Sequence, residues 1–243
     1  IRDAQESRGL GDVYKRQLIF ISLSLLSGCS LLGSSKDTKK LVADGLTPKE
    51  LYEQAESKVF AGSIDQAIEK YRLILASYPD SKYAIQARLD IAYNLYKRKK
   101  YNRAILELNQ FIEKYPDLVP TPYAYYLRGV IAEAKSKSAL DKVITERAQR
   151  DVESIGDAYK YFVLLIEDFP DSKYSEEAKT KLTSLRNILA KHEFYVALYY
   201  TRIGSNIAAI NRSKYIIENY PNSSSIPDSL HLMAFNYDEI NTK

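Results

Sequence analysis

Tyr78-Pro79-Asp80-Ser81-Lys82-Tyr83 is followed along the chain by Tyr115-Pro116-Asp117, by Phe169-Pro170-Asp171-Ser172-Lys173-Tyr174 and by Tyr220-Pro221-Asn222-Ser223. Proline cannot continue a helix and pushes the residue before it toward extended backbone, while Asp, Asn or Ser just after it can cap the next helix. Each phrase therefore reads as a helix stop followed by a helix start. Between the phrases, from Thr47 onward, apolar residues recur at helical spacing and no alternating strand run appears. The expected fold class is all-α.

Counting back from each proline gives a fixed set of offsets. Ala55, Ala67, Tyr71 and Ile74 precede Pro79 as Ala92, Ala104, Leu108 and Phe111 precede Pro116, and as Ala197, Ala209, Ser213 and Ile216 precede Pro221. Small residues are needed where two helices cross closely, and the pattern resembles the tetratricopeptide (TPR) repeat, whose period is ~34 residues. The reading is a helical solenoid of about five repeats, at 48–81, 85–118, 122–172, 190–223 and 227–243. In the third, Gly129 and Ala158 stand 29 residues apart where the corresponding alanines stand 12 apart, which places a 17-residue insertion within 136–157. A periodic stretch from Tyr174 is expected to fuse with the first helix of the fourth repeat. Ala234 opens the fifth, which reaches Lys243 after one helix, so a second helix is expected beyond that residue.

Ahead of the repeats, the apolar run Leu18 to Leu26 ends in Leu26-Ser27-Gly28-Cys29. The run is too short to span a bilayer, which needs ~20 apolar residues. With Lys15 and Arg16 before it and small residues after it, it reads as a secretory signal. Residues 11–17 resemble translated adaptor sequence, which takes weight from Lys15 and Arg16 and leaves the signal to the apolar run and the motif at Cys29; 1–17 as an adaptor-like start and 18–28 as signal are set aside from fold reasoning. Leu-Ser-Gly-Cys resembles the bacterial lipobox, which implies cleavage before Cys29 and acylation of that cysteine as a stable anchor. Ser30, in place of an aspartate, points to the outer membrane, on its periplasmic face. Residues 29–45 then form a flexible tether with a mean span of ~20 Å, and 46–243 the folded domain.

Composition limits the function. The whole chain carries a formal charge of +4; residues 1–28 hold four basic and three acidic side chains, leaving +3 for the remainder. That balance does not suit a nucleic-acid binder. Cys29 is the single cysteine, so no disulfide is available, and His192 and His231 lack metal-ligand spacing. No phosphate-binding glycine loop or nucleophile elbow occurs. The expectation is a non-enzymatic chain with no cofactor beyond lipid on Cys29.

Tyrosine is abundant, 21 residues against seven Phe and no Trp, which favours surfaces apolar along the ring and wet at the tip. In a TPR array the first helix of each repeat lines the inner groove. That assigns Tyr52, Glu56, Val59 and Phe60 to it from repeat one, Leu89, Tyr93, Tyr96 and Lys97 from repeat two, and Tyr123, Tyr126 and Val130 from repeat three. Such a groove fits a peptide bearing aromatic residues; the other reading packs most of these rings between repeats.

The lipobox, the repeat layout with its insertion, and several local runs together resemble the BamD family, TPR lipoproteins of the outer-membrane β-barrel assembly machinery. The runs are Leu89-Asp90 with Tyr93 and Tyr96-Lys97; Tyr123, Tyr126, Arg128 and Gly129; Arg150-Asp151; Ala190-Lys191, Glu193, Val196-Ala197, Tyr199-Tyr200-Thr201 and Gly204; and Asn211-Arg212. The resemblance implies that the early repeats receive the C-terminal signal of unfolded outer-membrane β-barrel proteins through Tyr52, Phe60, Tyr93, Tyr96, Tyr123 and Tyr126. It implies that the later repeats dock the periplasmic domains of BamA through Glu193, Tyr200, Asn211 and Arg212, and that the C-terminal region meets the companion BAM lipoproteins. Arg202-Ile203 departs from the family's acidic-basic pair. Another envelope TPR lipoprotein, serving pilus assembly or cell-envelope coordination, is the competing reading.

Overall fold

The computed structural model describes residues 45–137, 148 and 152–242. The expected cleavage site, Cys29 and the tether up to residue 44 lie outside the described residues. Among the described residues the chain forms nine α-helices and no strand. They are α1 (Pro48–Phe60), α2 (Ile64–Ser77), α3 (Lys82–Lys97), α4 (Tyr101–Lys114), α5 (Thr121–Ser136), α6 (Glu153–Asp168), α7 (Ser175–Arg202), α8 (Asn206–Asn219) and α9 (Ile226–Asn241).

Each helix packs on the next, while α1 touches α3, α3 touches α5 and α7 touches α9. Alternate helices thus stand side by side, and the chain is an all-α TPR solenoid with α1, α3 and α5 sharing one face.

The first helix starts on a reciprocal cap. Thr47 N–H donates to Glu50 Oε2 at 2.7 Å, Glu50 N–H donates to Thr47 Oγ1 at 3.3 Å, and Pro48 opens the helix. Thr47→Ala is expected to cost about 1 kcal/mol, which a thermal melt of a domain this size registers as about 2–4 °C.

Two turn types alternate. Between α1 and α2, α3 and α4, and α7 and α8, one residue adopts the left-handed conformation: Gly62 (φ 74°), Lys99 (φ 56°) and Gly204 (φ 73°). The residue after each closes a wide bond, from Ser63 N–H to Lys58 O, Lys100 N–H to Leu95 O and Ser205 N–H to Tyr200 O, all at 2.9 Å. The proline phrases make the other turns. Helices α2, α4, α6 and α8 end at Ser77, Lys114, Asp168 and Asn219, just ahead of Pro79, Pro116, Pro170 and Pro221.

The capping residue expected in each phrase is present only at Ser81, whose Oγ accepts from Ala84 N–H at 3.1 Å. Helices α5 and α7 open without a side-chain cap. There Thr121 and Ser175 instead donate their hydroxyls back to Tyr115 O (2.6 Å) and Phe169 O (2.7 Å), stitching each new helix to the end of the previous one.

The small and apolar repeat positions are the core. Ala55, Ala67, Ala92, Ala104, Ala158, Ala197 and Ala209 are fully buried, as are Ile74, Leu108, Phe111, Phe162, Leu165 and Ile216. Gly129 is needed for close approach: a Cβ there would stand 2.6 Å from the Phe162 ring. Ala234 differs from the others, being exposed on α9. The buried apolar residues form two clusters, one from Leu51 to Ile131 and one from Ala132 to Leu189.

Most of the insertion lies outside the described residues. Its end is helical, since α6 begins at Glu153, and its buried Ala148 accepts a hydrogen bond from His192 Nδ1 at 2.8 Å. A carbonyl can only accept, so the His192 ring carries its proton on Nδ1 in this contact.

Candidate peptide groove and docking face

Helices α1, α3 and α5 present their tyrosines to one another. The Tyr52 ring lies tilted, 5.5 Å from those of both Tyr71 and Tyr83, and its phenol donates to Asp90 Oδ2 at 2.5 Å. Gln86 donates to the other oxygen of Asp90 at 3.1 Å. Beyond Asp90 a hollow of about 540 Å³ opens, lined by Tyr93, Val119, Tyr123, Lys173 and Tyr174 among others. Tyr174 closes its far side, 5.4 Å from Tyr123 and stacked 5.2 Å from Tyr126. Tyr93 remains 42% exposed, with the Lys97 ammonium over its ring.

Burial makes several of these phenols harder to ionise. Burial, with Asp90 as acceptor of its proton, pushes the Tyr52 hydroxyl well up, and burial lifts Tyr123 to about 12. Burial and a hydrogen bond to Glu177 raise Tyr126. The groove thus sets phenol hydroxyls around apolar rings, suited to peptide carbonyls and aromatic side chains.

Asp90 is under tension. Burial raises its carboxyl above its ordinary value of 3.8, the nearby Glu56 charge adds to the rise, and the bonds from Tyr52 and Gln86 oppose it. A carboxyl raised by folding stabilises the fold below its unfolded value and loses that contribution as pH rises through the folded value. Asp90→Asn keeps an acceptor for Tyr52 and removes the buried charge. Its melting temperature is expected to exceed the wild type's at pH 7, with the gain vanishing below about pH 4. A pH series of thermal melts reads this out, and a gain that persists at acid pH would exclude burial of the charge as its cause.

The structure thus gathers Tyr52, Tyr93, Tyr96, Tyr123 and Tyr126 on one face, with Tyr96 half-buried between Tyr93 and Tyr101. Phe60 is not among them. It stands 97% exposed at the end of α1, apart from the residues lining the hollow. Asp90, Lys173 and Tyr174 are site residues that the groove projection leaves out. Tyr174 belongs to the helix-stop phrase, and only the packing of α7 beside α5 turns it into a wall.

The later helices carry the expected docking residues in three places. Arg212 Nη1 on α8 pairs with Glu193 Oε2 on α7 at 2.8 Å, the carboxylate largely covered and the guanidinium 44% exposed. Tyr200 lines a hollow of about 440 Å³ with His192, Tyr195, Tyr199 and Arg202, beside Ala148 of the insertion. Asn211 lines another, of about 580 Å³, with Gly204, Ile207 and Ile240. Among the described residues no three His, Cys, Asp or Glu side chains gather as a metal site, and no helix is long and apolar enough to cross a membrane.

Residues 44–243 match the family described as YfiO, outer membrane lipoprotein. The chain belongs to that family. A relative from Neisseria gonorrhoeae, named outer membrane protein assembly factor BamD, is 31% identical over 93% of this chain and 85% of its own length. Proteins of the same name from Xylella fastidiosa (strain Temecula1) and Vibrio cholerae are 31% and 29% identical, over 93% and 90% of this chain and 76% and 89% of theirs. The YfiO-family match spans all nine helices, so the groove and the docking face both lie within it.

Proposed function

We propose that this chain is a non-catalytic outer-membrane lipoprotein scaffold that helps assemble and insert β-barrel proteins. It is anchored by lipid on Cys29 on the periplasmic face and uses no other cofactor. The observation that carries the reading is similarity over 90–93% of this chain to proteins named outer membrane protein assembly factor, joined to an open aromatic groove.

In this reading the α1–α3–α5 face receives the C-terminal segment of an unfolded barrel protein. Tyr93 and Tyr123 hold its aromatic residues, while Tyr52, Tyr96 and Tyr126 set the shape of the wall. The α7–α8 face docks the periplasmic domains of BamA through Arg212, Tyr200 and Asn211, with Glu193 positioning Arg212. Companion BAM lipoproteins meet the C-terminal helices.

The test is binding of the chain to BamA periplasmic domains from the same source, with Arg212→Glu and the swap Glu193→Arg/Arg212→Glu in parallel. Binding that the single reversal weakens at least tenfold, and that the swap does not restore, supports docking through the Arg212 charge. Recovery in the swap would assign the pair a purely structural role. Absence of binding by folded wild-type chain would remove BamA as the partner. In a second arm, Tyr93→Ala/Tyr123→Ala is expected to weaken binding of a labelled C-terminal barrel peptide while leaving BamA binding intact.

A further inference from the structure

The turns between α1 and α2 and between α3 and α4 lie side by side, tied by Arg98 Nη2 to Asp65 Oδ2 at 3.3 Å. Phe60 projects from the first, 97% exposed. The second reads Lys97-Arg98-Lys99-Lys100-Tyr101-Asn102-Arg103, five cations in seven residues, all exposed. Arg98 is the one of these five held by a carboxylate among the described residues.

The backbone at Lys99 adds an independent observation. It occupies the left-handed position that the equivalent turns fill with Gly62 and Gly204, where a side chain is disfavoured relative to glycine. The turn keeps a lysine at its apex although glycine would fold more easily.

We propose that these two turns form a basic, aromatic-tipped contact for an anionic phospholipid surface. An exposed tip suits a plane, whereas a peptide needs a groove such as the one described above. Each lysine or arginine near an anionic bilayer strengthens binding by about fivefold, and an aromatic ring adds interfacial anchoring. Family membership places the chain at a membrane. Helix α1 measures about 20 Å from its tether end to Phe60, comparable with the mean span of the proposed tether, so the tip can reach the bilayer while the anchor holds.

The experiment uses residues 45–243, which carry both core clusters, without the lipid. Co-sedimentation is measured with vesicles of phosphatidylcholine alone and with about a third of the lipid replaced by phosphatidylglycerol. Binding to the anionic vesicles is expected to exceed that to the neutral ones, and Lys99→Glu/Lys100→Glu to weaken it at least about tenfold. Phe60→Ser should weaken it further. Lys99→Gly should raise the melting temperature and lower vesicle affinity together. Equal binding to both vesicle types, or anionic binding untouched by the double reversal in a folded variant, would overturn the proposal. Binding to polyglutamate but not to vesicles would give the surface to an acidic protein instead. Because no lipid anchor or BamA is present, this test fails or succeeds separately from the function proposed above.

Discussion

Phe162→Ala is expected to destabilise the domain by about 3–5 kcal/mol, the usual range for removing a fully buried aromatic ring. Phe162 has no exposed surface, touches the α5 backbone where Gly129 lacks a side chain, and lies 6.1 Å from the Tyr126 ring. The ring thus joins α5 and α6 across the repeat that carries the insertion. In a solenoid each repeat is held by its neighbours, so the loss should be local. Amide exchange is expected to accelerate most from the end of α5 through α6 and α7, where the second cluster runs from Ala132 to Leu189, and least in α1 to α3. Gly129→Val in the wild type should also destabilise, by about 1–3 kcal/mol through overpacking. The same change in Phe162→Ala should cost less, because the cavity accepts the new methyls. Additive losses would mean that the two positions do not share one space.

Asp157→Ala is expected to cost about 3 kcal/mol, the low end for stranding a buried charge, since the carboxylate itself is half exposed. Arg128 is the buried partner, 4% exposed in the middle of α5. Its Nη2 donates to Asp157 Oδ2 at 2.8 Å, its Nε donates to Asn109 Oδ1 at 3.0 Å, and its guanidinium lies 4.3 Å from the centre of the Tyr161 ring. Nη1 is buried without a partner in the protein. Removing Asp157 leaves that cation with one neutral acceptor and a ring face. Arg128→Met removes the charge and keeps the volume, so its loss should be smaller. Urea unfolding of both variants decides the matter, and an equal loss would show that packing rather than charge holds Arg128 in place.

The sequence carried the architecture because TPR geometry depends on local signals. Proline placement set the ends of α2, α4, α6 and α8, and the spacing of Ala55, Ala67, Ala92 and Ala104 marked the helix crossings. The 28-residue span of α7 followed from the absence of any break between Tyr174 and Arg202. The site was less legible. Helical phase says that Tyr52, Glu56, Val59 and Phe60 share a side of α1, but not how far the neighbouring helix extends beyond it. Helix α3 shelters Tyr52 through Asp90, whereas Phe60 stands past the end of that cover. Asp90 entered the sequence reading only through the family resemblance, and its place beside the groove rests on Tyr52 reaching it from the neighbouring helix. Caps were misplaced at Asp117 and Asp171 because the following helices open several residues later, at Thr121 and Ser175.

Helix α7 has one more consequence. It contains neither glycine nor proline, and at 1.5 Å per residue its 28 residues make a rod of about 42 Å. Tyr174, just before its first residue, walls the groove, while Tyr199, Tyr200 and Arg202 at its far end line the hollow beside the insertion. No glycine or proline joint interrupts the helix between them. A tilt of that rod imposed at Tyr200 would displace Tyr174 as well, which would link the aperture of the groove to the opposite end.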